Sequence, residues 1–131
     1  LAAVERRAVA SSADAPTAGN AVFDRQAVLA LIDDEELLRE LVQIFLNDYP
    51  QLLALIRHAV GVGDANELQR AAHTLKGSSA NFAAANVATH AGQLEDMGRD
   101  ENLTHAAQVL ERLEKELVRL RAALEQELKT P

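Results

Sequence analysis

The sequence has no cysteine, which removes disulfides, thiolate catalysis and zinc–thiolate sites together and fits a reducing compartment. Aromatic residues make up only 3%, too few for a β-sandwich or barrel, whose pleated faces call for aromatic and β-branched side chains. No apolar run approaches the roughly 20 residues that a membrane span needs. Glu5, Arg6 and Arg7 interrupt the one N-terminal stretch that could serve as a leader. Positive charge is also scarce: 13 Lys and Arg stand against 20 Asp and Glu, a formal charge of −7 that repels a phosphate backbone. Nucleic acid is therefore not an expected partner, no direct membrane contact is expected of this domain, and the cytoplasm is its expected location.

What the chain does have is helix-forming composition. Ala, Leu, Glu and Arg abound, and 48% hydrophobic content over 131 residues suffices for one domain with an apolar core. Residues 11–21 hold small and turn-forming types without apolar period, so 1–22 read as a flexible linker or the tail of an upstream segment, and 23–131 as the folded domain.

Asp24 is placed to cap a short helix over 25–32, and Asp33 or Asp34 a longer one with Glu35 and Glu36 in its positive first turn. Leu38, Val42, Phe45, Tyr49, Leu52, Ile56 and Val60 draw one apolar stripe along it. Pro50 interrupts the backbone ladder there and predicts a kink or short break near 48–50. Gly61 and Gly63 end this helix, and Asp64 with Glu67 forms a capping-box pattern for the next. That third helix turns Leu68, Ala72, Leu75, Ser79 and Phe82 inward. A fourth carries Val87, Ala91, Leu94 and Met97 and closes at Gly98. The last, from 103 or 104 to 128, repeats Leu110, Leu113, Leu117, Leu120 and Leu124, with Glu111/Lys115 and Glu125/Lys129 on its outer side. The expected architecture is all-α: an antiparallel up-and-down four-helix bundle with a short additional N-terminal helix.

The third helix carries the chemistry. At about 100° per residue, Leu68, Ala71, Leu75 and Phe82 cluster opposite His73, which therefore points outward. Gln69, Lys76, Gly77 and Ala80 share its face. A neutral imidazole nitrogen is a nucleophile toward phosphorus near pH 7, and a lysine one turn away can offset phosphoryl charge. Gly77 inside a helix costs about 1 kcal/mol relative to Ala. Two readings compete for it: an open approach to the imidazole for a partner or phosphate, or a tolerated irregularity or close helix contact. Gly92 is given the second reading. His58, His90 and His105 form no His-x-x-x-His pair, and Glu101/His105 is a weak motif, so no metal site is expected. Acid pairs such as Asp33/Asp34 and Glu95/Asp96 suggest no sugar cleft.

The run His73-Thr74-Leu75-Lys76-Gly77-Ser78-Ser79-Ala80-Asn81-Phe82 resembles the signature of histidine-containing phosphotransfer domains, the relay modules of multistep two-component signalling. The likeness extends from Phe23-Asp24 through Phe45-Leu46 and Pro50 to Leu94-Glu95 and Gly98-Arg99. It implies a bundle whose exposed histidine takes a phosphoryl group from a receiver-domain aspartate and passes it to the aspartate of a response regulator. By this resemblance His73 is the phosphorylated residue, Lys76 the basic residue near the phosphate and Gly77 the small residue that admits the receiver. Gln69, Arg70, Ala80 and Arg99 are expected to meet the partner. Mg²⁺ belongs to the receiver's acidic site, and no cofactor is expected here. Two positions depart from the family pattern. Glu95 falls where some members carry a glutamine, so no phosphate-binding role is carried over to it. Ala83 stands where a glycine usually turns the chain, so the third helix is expected to run longer, or Asn81 or Asn86 to take the irregular conformation.

There is no Gly-x-x-x-x-Gly-Lys loop, so the module is expected to lack autonomous kinase activity. The dimeric histidine-kinase domain places an acidic residue after its histidine and a proline soon after that; here Thr74 follows His73 and no proline follows before Pro131. A non-catalytic helical adaptor that docks receiver domains is the alternative from another class. The linker and a first residue other than methionine favour a C-terminal module of a hybrid sensor kinase, tethered through its parent to the inner membrane, over a free-standing carrier. A monomer is expected of a residue that must meet two partners in turn.

Overall fold

Helix starts and stops in the structure, a computed structural model that describes residues 23–129, follow the capping residues closely. The linker expected over 1–22 lies outside the described residues. Asp24 accepts a hydrogen bond from the Ala27 amide at 3.0 Å and opens α1, Arg25–Ile32. Asp33 ends α1 in the left-handed region at φ 47°. Asp34 then caps α2, Glu35–Val62, by accepting from the amides of Glu36 and Leu37 at 3.0 and 3.1 Å. Gly63, at φ 77°, closes α2, because a side chain there would strain the left-handed turn. The remaining helices are α3, Ala65–Ala80, α4, Ala85–Arg99, and α5, Ala106–Lys129.

Around the bundle α2 packs on α3, α3 on α4, α4 on α5, and α5 returns to α2, with α1 on α2. The core runs through Leu38, Val42, Phe45, Leu68, Leu75, Leu94, Leu113, Leu117 and Leu120, all buried. Phe82 closes one end, in edge contact with Phe45 and Phe23 at centroid separations of 5.4 and 6.1 Å. Phe82 O also accepts from the Asp24 amide at 3.2 Å, tying the start of α1 to the end of α3.

Several expectations need correction. The helix is not interrupted at Pro50: buried Phe45, Tyr49, Leu53 and Ile56 hold both halves to one core, which offsets the missing donor. Beyond Pro50 the inward residues are Leu53, Ile56 and Ala59, with Leu52 and Val60 only partly buried. The capping box is half formed, since Asp64 accepts from the Glu67 amide at 3.0 Å while the Glu67 carboxylate turns to His58 Nδ1 at 3.3 Å. Met97 is partly buried, and α4 continues past Gly98 to Arg99. α5 starts two or three residues later than expected, because Asn102 accepts from the amide and hydroxyl of Thr104 and holds a turn ahead of the helix. Its outer ion pairs are Arg57 with Glu114 and Arg119 with Glu116.

Ala83 itself takes the left-handed conformation, at φ 52°. Neither alternative expected at this turn occurs: α3 stops at Ala80, and Asn81 stays right-handed at φ −59°. The amides of Asn81, Phe82 and Ala83 bond back to Ser78, Ser79 and Ala80 at 3.0–3.3 Å. This tight turn and the burial of Phe82 and Ala84 hold Ala83 in a conformation that costs about 1–2 kcal/mol for a residue with a Cβ.

Candidate functional site

Helices α3 and α4 approach closely, and the sequence permits it through small residues. A Cβ on Gly98 would lie 2.6 Å from Ala65 O and 2.7 Å from Gln69 N, so only glycine lets the two backbones meet there. Ala72 on α3 and Ala91 on α4 are fully buried small residues of the same helix pair. One turn before Gly98 on α4, Glu95 is thereby brought against the outer face of α3.

His73 projects from α3 with its side chain 68% exposed, and its Nδ1 lies 2.8 Å from Glu95 Oε2. Lys76 Nζ lies 2.6 Å from the other oxygen, Oε1. The lysine stem crosses α4 beside Gly92, where an added Cβ would stand 3.4 Å from Lys76 Cδ. Gly92, expected to be a tolerated irregularity or a close helix contact, is such a contact, and it borders the site. Glu95 is only 9% exposed. Burial alone would push its carboxyl up, but contact with Lys76 first, and with His73 after it, holds the pKa below the ordinary value. The ionised carboxylate can only accept, so the neutral imidazole keeps its proton on Nδ1 and presents the Nε2 lone pair outward.

Gly77 has nothing within 4 Å of where a Cβ would stand. The close-contact reading of this glycine therefore falls, while open approach and a tolerated irregularity both remain. Gln69, Arg70, His73, Thr74 and Glu95 line a shallow concavity beside the imidazole. Arg70 is exposed, as is Ala80 one turn beyond Gly77. Arg99 stands apart from the cluster: its guanidinium pairs with Asp96 at 2.7 Å and approaches Asp100 at 3.8 Å.

Two features escaped the sequence reading. Glu95 was set aside, although its place in a heptad-like step after Val87, Ala91 and Leu94 put a carboxylate at the edge of a core stripe. The second is an apolar strip along α2 beside α3. Ile44 is 55% and Leu55 43% exposed. Leu41 and Leu52 line a groove with Ser78 and Asn81, and Leu52 and Leu55 line another with Arg70 and Thr74. The spacing of Leu37, Leu41, Ile44, Leu52 and Leu55 was the available signal. Among the described residues no group of His, Asp and Glu is placed to hold a metal ion, and no helix is long and apolar enough to cross a membrane.

An exposed imidazole on a bundle helix, oriented by a buried carboxylate and flanked by lysine and glycine, is the arrangement of a phosphotransfer module, and the family profile agrees. The Hpt domain profile matches residues 40–123, more than half the chain; the protein belongs to the histidine phosphotransfer domain family. It is similar to the histidine-containing phosphotransfer protein B (HptB) of Pseudomonas aeruginosa PAO1, whose crystal structure superposes with a TM-score of 0.77 at 27% identity, covering 90% of this chain and all of that one. No match is found among curated proteins. Histidine phosphotransfer in a phosphorelay is thus the activity of this domain class.

Proposed function

We propose that His73 accepts a phosphoryl group from the aspartate of a receiver domain and passes it to the aspartate of a response regulator. The observation that carries this reading is the exposed imidazole of His73 whose Nδ1 lies 2.8 Å from Glu95, which leaves Nε2 as the nitrogen available to attack. The Nε2 lone pair attacks the phosphorus of the acyl phosphate in line. The phosphorus–oxygen bond breaks, and its electron pair leaves with the receiver's carboxylate. The reverse sequence at a second receiver regenerates the neutral imidazole. Mg²⁺ and most charge stabilisation at the transferring group come from the receiver.

Gly77 leaves the partner room to approach, and the apolar strip of Leu41, Ile44, Leu52 and Leu55 beside it offers a nonpolar seat. A soluble, cytoplasmic domain acting as a monomer, joined through residues 1–22 to a hybrid sensor kinase, fits this role. Lys76 steadies the site through Glu95, and Gln69, Arg70 and Ala80 border the docking face; Arg99 lies at its margin.

The test mixes the protein with a labelled phosphoreceiver, wild type beside His73→Gln. Acid-labile, base-stable label is expected on the wild type alone. Label on both proteins would sink the assignment to His73, and tight receiver binding without label on either would favour a docking adaptor.

A further inference from the structure

We propose that Arg70, rather than Lys76, supplies the cation that meets the incoming phosphoryl group; the proposal rests on the phosphotransfer reading of His73. The two basic residues flank the histidine at equal spacing, three before and three after it, but their surroundings differ. Lys76 Nζ lies 2.6 Å from Glu95 Oε1, with the lysine side chain 42% exposed. Its charge is spent on a carboxylate that is nearly buried and, among the described residues, has one other partner, His73. Its ammonium keeps further N–H donors, but a phosphoryl group that met them would meet a neutralised pair rather than a free cation.

Arg70 is exposed, and its side chain has no ion-pair or hydrogen-bond partner among the described residues. It stands one helical turn before His73, and three-residue spacing puts the two on neighbouring positions of one face. Both line the concavity formed with Gln69, Thr74 and Glu95. The acid one turn before Arg70 does not quench it, because Glu67 is turned to His58 Nδ1 at 3.3 Å. On α4, Asp96 is occupied by Arg99 at 2.7 Å.

The charges around the imidazole therefore sum simply. Glu95 and Lys76 cancel, His73 in its nucleophilic, uncharged form adds nothing, and among the described residues Arg70 is the uncompensated charge of this face. A dianionic phosphoryl group is drawn to the uncompensated charge, and a guanidinium offers it a fork of N–H donors that a committed ammonium does not. In the transfer itself the Nε2 lone pair forms the nitrogen–phosphorus bond and the bond to the leaving group breaks. Arg70 donates hydrogen bonds to the phosphoryl oxygens and moves no proton.

The decisive comparison removes Arg70 on one side and the Lys76–Glu95 pair as a neutral unit on the other. The full chain is phosphorylated with phosphoramidate, a small donor that loses ammonia as His73 takes the phosphoryl group, and phosphohistidine is followed by ³¹P NMR. Arg70→Gln is expected to slow labelling about three- to tenfold at low salt, as loss of one exposed charge near a dianion implies. That deficit should shrink as ionic strength rises, and Arg70→Lys should recover most of the rate. The double variant Lys76→Gln/Glu95→Gln removes no net charge from the face, so whatever slowing it causes through the seating of His73 Nδ1 is expected to be the same at low and at high ionic strength. Circular dichroism identical to wild type is expected throughout, since Arg70 lies on the surface. The proposal is overturned if Arg70→Gln labels at the wild-type rate, or if its deficit is no more sensitive to ionic strength than that of the Lys76→Gln/Glu95→Gln variant. Failure of wild-type His73 to take label would overturn the phosphotransfer reading, and this proposal with it.

Discussion

Gly98 and Gly77 sit inside neighbouring helices and border the same helix pair, yet they are glycine for opposite reasons. At Gly98 the α3 backbone is so close that a methyl would fall 2.6 Å from Ala65 O; at Gly77 a methyl would meet nothing within 4 Å. The contrast separates the two faces of α3. Its inner face is a packed surface with no room for one more carbon, and there glycine serves the fold. On the outer face nothing within reach of a Cβ requires glycine, so packing does not account for its cost in helix propensity.

The strongest way to break this contrast is Gly98→Ala. The atoms it would strike are backbone, which cannot rotate away, so α3 and α4 must separate. A loss of about 3 kcal/mol in urea unfolding is expected, as for a severe overpacking substitution. Full wild-type stability would mean that the two helices slide apart freely. Since Glu95 reaches His73 only through this approach, a Gly98→Ala protein that still folds should also lose the Nδ1 hydrogen bond, visible in the imidazole ¹⁵N shifts.

Ala83→Gly probes the turn that ends the packed part of α3. It removes the Cβ from a residue held at φ 52° and is expected to stabilise the protein by about 1 kcal/mol. A loss of stability would mean that the Ala83 methyl, packed against the core, outweighs its backbone strain.

Gly77→Ala sharpens the contrast from the open side. It should stabilise the isolated protein by roughly 0.5–1 kcal/mol through helix propensity while slowing transfer from a phosphoreceiver. Unchanged transfer would remove steric access as the reason for this glycine.

The smallest effect concerns Glu95 and pH. Its folded-state pKa is held below the ordinary 4.5, mainly by Lys76, so its ionisation adds stability that is fully present above the unfolded value. That share is lost as pH falls through the lowered folded value. The stability gap between wild type and Glu95→Gln should therefore be constant near about pH 6 and narrow by about pH 3. A gap that widened in acid would contradict the ion pairing.

The second buried glutamate shows why such groups are hard to place from sequence. Glu127 is 6% exposed and takes a fork from Arg25 Nε, at 2.9 and 3.1 Å. Arg25 Nη2 also reaches Glu35 at 3.1 Å, and the two carboxylates raise the Arg25 pKa, Glu127 foremost. That cluster fastens α1 to α5 and α2. Glu95 makes a similar pair of contacts, but one of its partners is an exposed imidazole. Nothing in the local sequence of either glutamate tells fastener from site: residues 102 apart meet in one case and 22 apart in the other.

Local pattern carried most of the architecture. Asp24, Asp34, Asp64 and Gly63 mark helix ends through groups a few residues away, and leucine periodicity in α5 shows which side is buried. Those signals act within a turn or two of helix, which is why they can be read without the fold. The outward direction of His73 follows in the same way from inward Leu68, Leu75 and Phe82.

What the chain alone determined, then, is a helical bundle with an exposed histidine between a lysine and a glycine, because periodicity and capping are local properties. Tertiary structure alone decided that Lys76 is committed to Glu95, that Arg70 has no side-chain partner among the described residues, and that Ala83 bears the left-handed turn. Each of these depends on how closely two helices approach or on how a turn is held between buried groups. Such distances are set by packing across the bundle, and the order of residues along one helix does not record them.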